Sequence, residues 1–280
     1  MINGATNKSF LTVMKPSMRD ILRSVQVHVP FHRLRNEFLP MVIREGINPE
    51  IGFNHFSLDH FGKDDFLKVA DELLKAELTI SFHAPFMDLR PGAIDPEIRK
   101  VTVGRLQLVF DLVPHFRPIS VVCHASFDKR YYVSNEHEWL ANSIETWKHF
   151  LQQAIEMGTM IAIENVYETD CHYLRLLLDA FASPHMCFCF DTGHFNVYST
   201  ASLEEWMNGL GSRIGQVHIH DNNRLLDEHL PIGEGNFPFQ AFFEMIHQKK
   251  LDPIITLEPH SEKNLWRTLE NIEALDLFVK

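Results

Sequence analysis

The chain is 280 residues long, 45% apolar and 22% charged, with 26 lysines and arginines against 37 aspartates and glutamates and a formal net charge of −11. That balance excludes a mostly disordered chain, and four cysteines without a CxxC pair exclude a disulfide scaffold and a zinc knuckle, so the thiols are expected to be reduced. The absence of an 18-residue apolar run or a signal-type leader gives the expectation of a cytoplasmic protein off the membrane, and the acidic balance weighs against a nucleic-acid coat.

Residues 1–23 are expected to form a loosely held N-terminal arm, and 24–280 one catalytic domain, because no Pro/Gly/Ser-rich linker divides them. Short β-rich apolar runs then recur: VQVHV at 25–29, INPEIGF at 47–53, LTISFHA at 78–84 and ISVVCHA at 119–125. MIAIEN at 160–165, MCFCFDTGH at 186–194, IGQVHIHD at 214–221 and IITLEP at 254–259 complete the series. The gaps between runs hold helical patterns, clearest at 95–113, 136–157 and 262–278. Eight βα units at this length predict an α/β fold, a single (β/α)8 TIM barrel with a parallel sheet covered on its outside. Trp139, Trp147 and Trp206 are expected in its core.

In such a barrel, chemistry sits where inward side chains emerge at the C-terminal strand ends. Of 17 histidines, His83 and His124 end the third and fourth runs, and His218 and His220 the seventh. Glu164, Asp191 and Glu258 end the fifth, sixth and eighth. Packed carboxylates repel one another unless a cation or protons neutralise them, and interleaved imidazoles suit Mn²⁺, Zn²⁺ or Co²⁺ better than Ca²⁺ or Mg²⁺. The rim gains His194 from D-T-G-H, in the loop expected after the sixth strand, and Asp227 and His229 from the loop after the seventh. Gly233 to Gly235 make a tight turn that lacks the Lys and Ser/Thr of a phosphate loop.

HAPF at 83–86, IEN at 163–165, DTGH at 191–194, HIHD at 218–221, the D-x-H of Asp227 and His229, IGEGN at 232–236 and LEP at 257–259 together resemble the xylose isomerase-like TIM-barrel superfamily. The resemblance runs from about the third strand to the end. In the tagatose/psicose epimerase branch it implies one divalent metal held by Glu164, Asp191, His218 and Glu258. The two glutamates there exchange protons at the carbon beside a polarised carbonyl, and His194 and Arg224 contact substrate oxygens, with His83 and His124 beside them. Endonuclease IV is similar in another way: the positions of its zinc ligands match His83, His124, Glu164, Asp191, His194, His218, Asp227, His229 and Glu258. The chain departs from it in HASFD after the fourth strand, in IENVYETD and in Phe86. It offers only Arg90, Lys129, Arg130, Tyr131, Tyr132 and Arg224 to grip and flip DNA.

The expected function is therefore a divalent-metal-dependent isomerase or epimerase of a sugar, sugar phosphate or related polyhydroxylated substrate. A zinc-dependent phosphodiester hydrolase with a nucleic-acid partner ranks second, and a barrel keeping a metal for stability or binding ranks third. The substrate, the native metal, the number of ions and the oligomeric state are left open at this level.

Overall fold

The computed structural model describes residues 16–278. Its centre is a closed barrel of eight parallel strands in chain order: β1 Gln26–Pro30, β2 Asn48–Gly52, β3 Ser81–His83, β4 Ser120–His124, β5 Met160–Glu164, β6 Met186–Asp191, β7 Ile214–Ile219 and β8 Ile254–Leu257. Seven of the expected apolar runs contain one of these strands, and the first, 25–29, overlaps β1, which extends to Pro30. The sixth stops at Asp191, short of residue 194, because the Asp191 side chain accepts from the His194 backbone N–H at 2.6 Å and caps a helix over Thr192–Tyr198. His194 therefore sits in the first turn of a helix, where the sequence pattern suggested a loop.

The long helices answer to local signals. Pro96–Phe110 starts behind Asp95, which accepts from Glu97 N–H at 2.8 Å with proline at the first helical position. Glu136–Met157 matches its predicted span, and the closing helix runs Glu262–Ala274, four residues short of the expected 278. Trp139, Trp147 and Trp206 are buried at 0–1% exposure in the layer between strands and helices. All four cysteines are free. Among the described residues no helix is long and apolar enough to cross a membrane.

The expected arm needs a correction. Residues 1–15 lie outside the described residues, but Met18–Ser24 is a helix with a Ser17/Asp20 capping box, packed on the Glu262–Ala274 helix. Ile21 and Leu22 are buried there, so this segment is held by apolar burial and is no loose arm.

Strand register decides which side chains meet. His124 lies opposite Glu164, and Asp191 opposite His218, so neighbouring strands deliver imidazole and carboxylate side by side at one rim. Inside the barrel, Val122, Ala162, Cys187 and Cys189 form a small apolar cluster. A buried polar layer lies beside it: Glu50 Oε2 accepts from Ser81 Oγ at 3.2 Å, Gln216 Nε2 at 2.7 Å and Thr256 Oγ1 at 3.0 Å, while Ser120 Oγ donates to Gln216 at 2.7 Å.

Candidate metal centre

His83, His124, Glu164, Asp191, His194, His218, Asp227, His229 and Glu258 converge at the C-terminal mouth. All but Asp191 and His218 line a cavity of about 600 Å³ there, and those two are fully buried behind it. The local sequence explains how they are fixed. Asn165 of I-E-N zips β5 to β6, donating to the Asp191 carbonyl at 3.1 Å and accepting from its N–H at 2.9 Å. In D-T-G-H, Thr192 Oγ1 donates to the His220 carbonyl at 2.9 Å, and a Cβ on Gly193 would overlap the His220 ring.

The loop bearing Asp227 and His229 is anchored by Asp221 of H-I-H-D. Its buried carboxylate accepts from the N–H groups of Gly233 at 3.0 Å, Gly235 at 2.9 Å and Phe237 at 3.1 Å. The glycine turn thus cradles the protein's own carboxylate, with Gly233 at φ +81°.

His218 stands at the centre. Its Nε2 faces Glu50, 3.3 Å from Oε2, which orients the ring. Its Nδ1 is buried without a hydrogen-bond partner, yet lies 3.0 Å from Glu258 Oε1, 3.4 Å from Glu164 Oε1 and 3.9 Å from Asp191 Oδ2. One nitrogen and three carboxylate oxygens converging without hydrogen-bond geometry is an arrangement that a divalent ion completes, and mixed N/O donors suit Mn²⁺, Zn²⁺ or Co²⁺. Glu164, Asp191 and His218 offer atoms close enough together to share an ion, as do His83, His218 and Glu258.

Each glutamate divides its two oxygens. Glu164 turns Oε1 toward His218 and Oε2 toward His83 Nε2 at 3.2 Å and His124 Nε2 at 3.0 Å. Glu258 turns Oε1 toward His218 and Oε2 toward His229 Nδ1 at 3.6 Å and His220 Nε2 at 3.7 Å. Each carboxylate thus has an inner oxygen at the centre and an outer oxygen backed by two imidazoles.

The electrostatics follow from this packing. Burial pushes Glu164 and Glu258 up, but the charge of His218, with further histidines, outweighs it and holds both well below the usual carboxylate range. His218 is lowered by burial and raised further by Cys189, Glu50, Glu258 and Glu164, so its net direction is well up. His194 moves the same way against Asp191, Asp227 and Glu164. His124 goes the other way, as do His28 and His260 of the cavity wall: burial dominates and lowers them. His229, depressed by burial but bonded to Asp227 at 3.2 Å, is pushed up to about 9.

Three residues were missed by the rim rule. Glu50 sits in the interior layer, His28 of β1 lines the cavity, and His260 extends a stack in which His220 and His229 lie 3.7 Å apart and His229 and His260 4.0 Å apart. The parity of Gln26 with His28 was a readable signal for the second. Arg224 is exposed, its Nε donates to Asn196 Oδ1 at 3.0 Å, and it is not among the residues that line the cavity. Arg33 and Arg90 are the arginines at the mouth.

A profile of the xylose isomerase-like TIM barrel family matches residues 48–277. The chain belongs to this family. The match begins at β2, earlier than the motifs carrying the resemblance. Among curated relatives, the uncharacterised protein MJ1311 of Methanocaldococcus jannaschii is 29% identical over 212 residues, covering 73% of this chain and 71% of its own. Among solved structures, the TTHB071 protein of Thermus thermophilus, soaked with ZnCl2, has a TM-score of 0.78 at 23% identity over 92% of this chain and 99% of its own. A D-tagatose 3-epimerase-like protein has a TM-score of 0.74 at 23% identity over 91% and 97%. These likenesses are of fold.

Proposed function

We propose that the chain is a divalent-metal-dependent sugar isomerase or epimerase that moves a proton at the carbon beside a carbonyl, with Glu164, Asp191, His218 and Glu258 as the metal ligands. The observation that carries this reading is the divided role of the two glutamates, each with one oxygen toward the His218 centre and the other toward a histidine pair. A divalent ion in that centre supplies Lewis-acid polarisation of the substrate carbonyl.

The chain's residues supply the rest. The outer oxygen of one glutamate takes the proton from the carbon, and the other glutamate returns one from its own side. His83 and His124 stand behind Glu164, and His220 and His229 behind Glu258, where they accept and return protons between turnovers. His194 Nε2 and the Asp227 carboxylate, 3.4 Å apart, present polar atoms to substrate hydroxyls. Resemblance in fold to a D-tagatose 3-epimerase-like protein supports the substrate class.

The hydrolase reading is less well supported. Among the described residues Arg33 is paired with Glu37 at 3.2 Å and Arg90 stacks over the Tyr131 ring at 4.0 Å, so the two arginines at the mouth are a modest supply of cations against a polyanionic strand. The test is exchange of solvent deuterium into ketohexoses by the Mn²⁺-loaded protein. Incorporation at the carbon beside the carbonyl, lost in Glu258→Gln, is expected. Wild-type exchange rates in that variant would overturn the assignment, and cleavage of an abasic duplex without any exchange would favour the hydrolase.

A further inference from the structure

Beside the main cavity lies a second, of about 400 Å³, and Asp128, Tyr167 and Tyr198 line both. Its walls are aromatic: the Phe127 and Tyr173 rings are 4.5 Å apart, and those of Tyr167 and Tyr198 meet edge-on at 5.1 Å. Tyr167 leaves about half its surface exposed. Glu168 shares this lining: it is 5% exposed, its Oε2 accepts from Val166 N–H at 2.6 Å, and its Oε1 is buried with no hydrogen-bond partner. Neither the metal centre nor the proposed proton transfer uses this carboxyl, and a buried oxygen left unpaired is costly unless a ligand completes it.

We infer that this side cavity binds a second sugar ring, so that the substrate is a glycoside whose reacting ketose lies at the metal centre and whose attached ring lies between Tyr167 and Glu168. The inference rests on the function proposed above and names its substrate class. A pyranose presents an apolar C–H face, which suits an aromatic platform, and a rim of hydroxyls, which suits an unpaired carboxyl oxygen. A single hexose of twelve heavy atoms, at roughly half a liquid water's ~30 Å³ per bonded atom, needs only about 200 Å³. The main cavity already exceeds that.

The lining also decides against a phosphate or nucleotide. Glu168, Asp128 and Asp170 all contribute carboxylates, and Arg130 is held in a two-pronged pair with Asp128 at 3.1 and 3.0 Å. That leaves Lys129 alone to meet an anion. Burial pushes the Glu168 carboxyl up to about 7, which adds an O–H donor at neutral pH and lowers its cost of meeting a neutral sugar.

The test is calorimetric titration of the Mn²⁺-loaded full chain with D-fructose and with two glycosides that carry it as a free reducing ketose, lactulose and isomaltulose, run beside deuterium exchange into the same sugars. At least one glycoside should bind tenfold or more tightly than fructose, and Tyr167→Ala and Glu168→Leu should each remove most of that ratio, whereas Glu168→Gln, which keeps a donor and an acceptor there, should retain much of it. Tyr167 is half exposed, so its variant tests the idea even if Glu168→Leu fails to fold. A ratio near one, or a ratio unchanged in the Tyr167 variant, overturns the side-cavity assignment. If fructose exchanges deuterium with no gain for either glycoside, only the side cavity is lost; a glycoside preference without exchange supports the side cavity and removes the proton-transfer reading.

Discussion

Replacing Glu50 with glutamine probes the support of the centre without touching a proposed ligand. Glu50 Oε2 takes hydrogen bonds from Ser81, Gln216, Thr256 and the Nε2 of His218, all within 2.7–3.3 Å. Burial would raise its carboxyl, but the charge of His218 and the bond to it hold it below the ordinary range, so the site contains a carboxylate. With its oxygen at the Oε2 position a glutamine amide still accepts from these donors, but its NH2 takes the place of Oε1, buried without a hydrogen-bond partner 3.2 Å from His218 Nε2, so at least one buried donor is left unpaired at about 1–3 kcal/mol of folding stability. His218 also loses the negative charge that fixes which nitrogen faces Glu164, Asp191 and Glu258. Loss of such a support costs ~10–100-fold in metal affinity, or about 1.4–2.7 kcal/mol. Competition against a chromophoric chelator reads the affinity directly, and circular dichroism confirms the fold. A folded Glu50→Gln protein that binds Mn²⁺ or Zn²⁺ within twofold of the wild type would show that Glu50 does not support the centre.

Three other outcomes follow from the same geometry. His218 and His194 are both held above the usual histidine range in the metal-free site, so a cation must displace protons; metal affinity should rise with pH, and titration heats in buffers of different ionisation enthalpy should report proton release. Heats that do not depend on the buffer would contradict this. Gly193→Ala drives a methyl into the His220 ring and should cost stability on the order of 1–3 kcal/mol by overpacking, with a parallel loss of metal affinity; a denaturation midpoint equal to wild type would show that the ring can yield. Glu168 has a folded pKa of about 7 against an ordinary 4.5, so its burial costs nothing below pH 4.5, and the penalty grows until the pH passes about 7. Glu168→Gln should therefore gain on the wild type between pH 5 and 8, by an amount on the order of 3 kcal/mol at most; urea denaturation showing a pH-independent difference would count against it.

The barrel was legible because parallel strands buried on both faces read as unbroken apolar runs, and because the side-chain period of two puts Cys187, Cys189 and Asp191 on one face. The same parity brought His124 beside Glu164 and Asp191 beside His218 once register was set. Glu50 escaped because it lies mid-strand, at a depth where only the closed barrel reveals that Ser81, Gln216 and Thr256 surround it. The bond from Arg224 to Asn196, 28 residues earlier in the chain, was not legible either, because no local pattern encodes it. The helix at Thr192–Tyr198 was written locally in Asp191 and could have been read as a cap, but the apolar run before it masked the boundary.

The most direct test of the metal centre is anomalous diffraction from crystals equilibrated with MnCl2. The strongest peak is expected within coordination distance of Glu164, Asp191, His218 Nδ1 and Glu258 together. A strongest peak bound by other side chains, or a fully loaded protein with nothing between those four, would contradict the assignment.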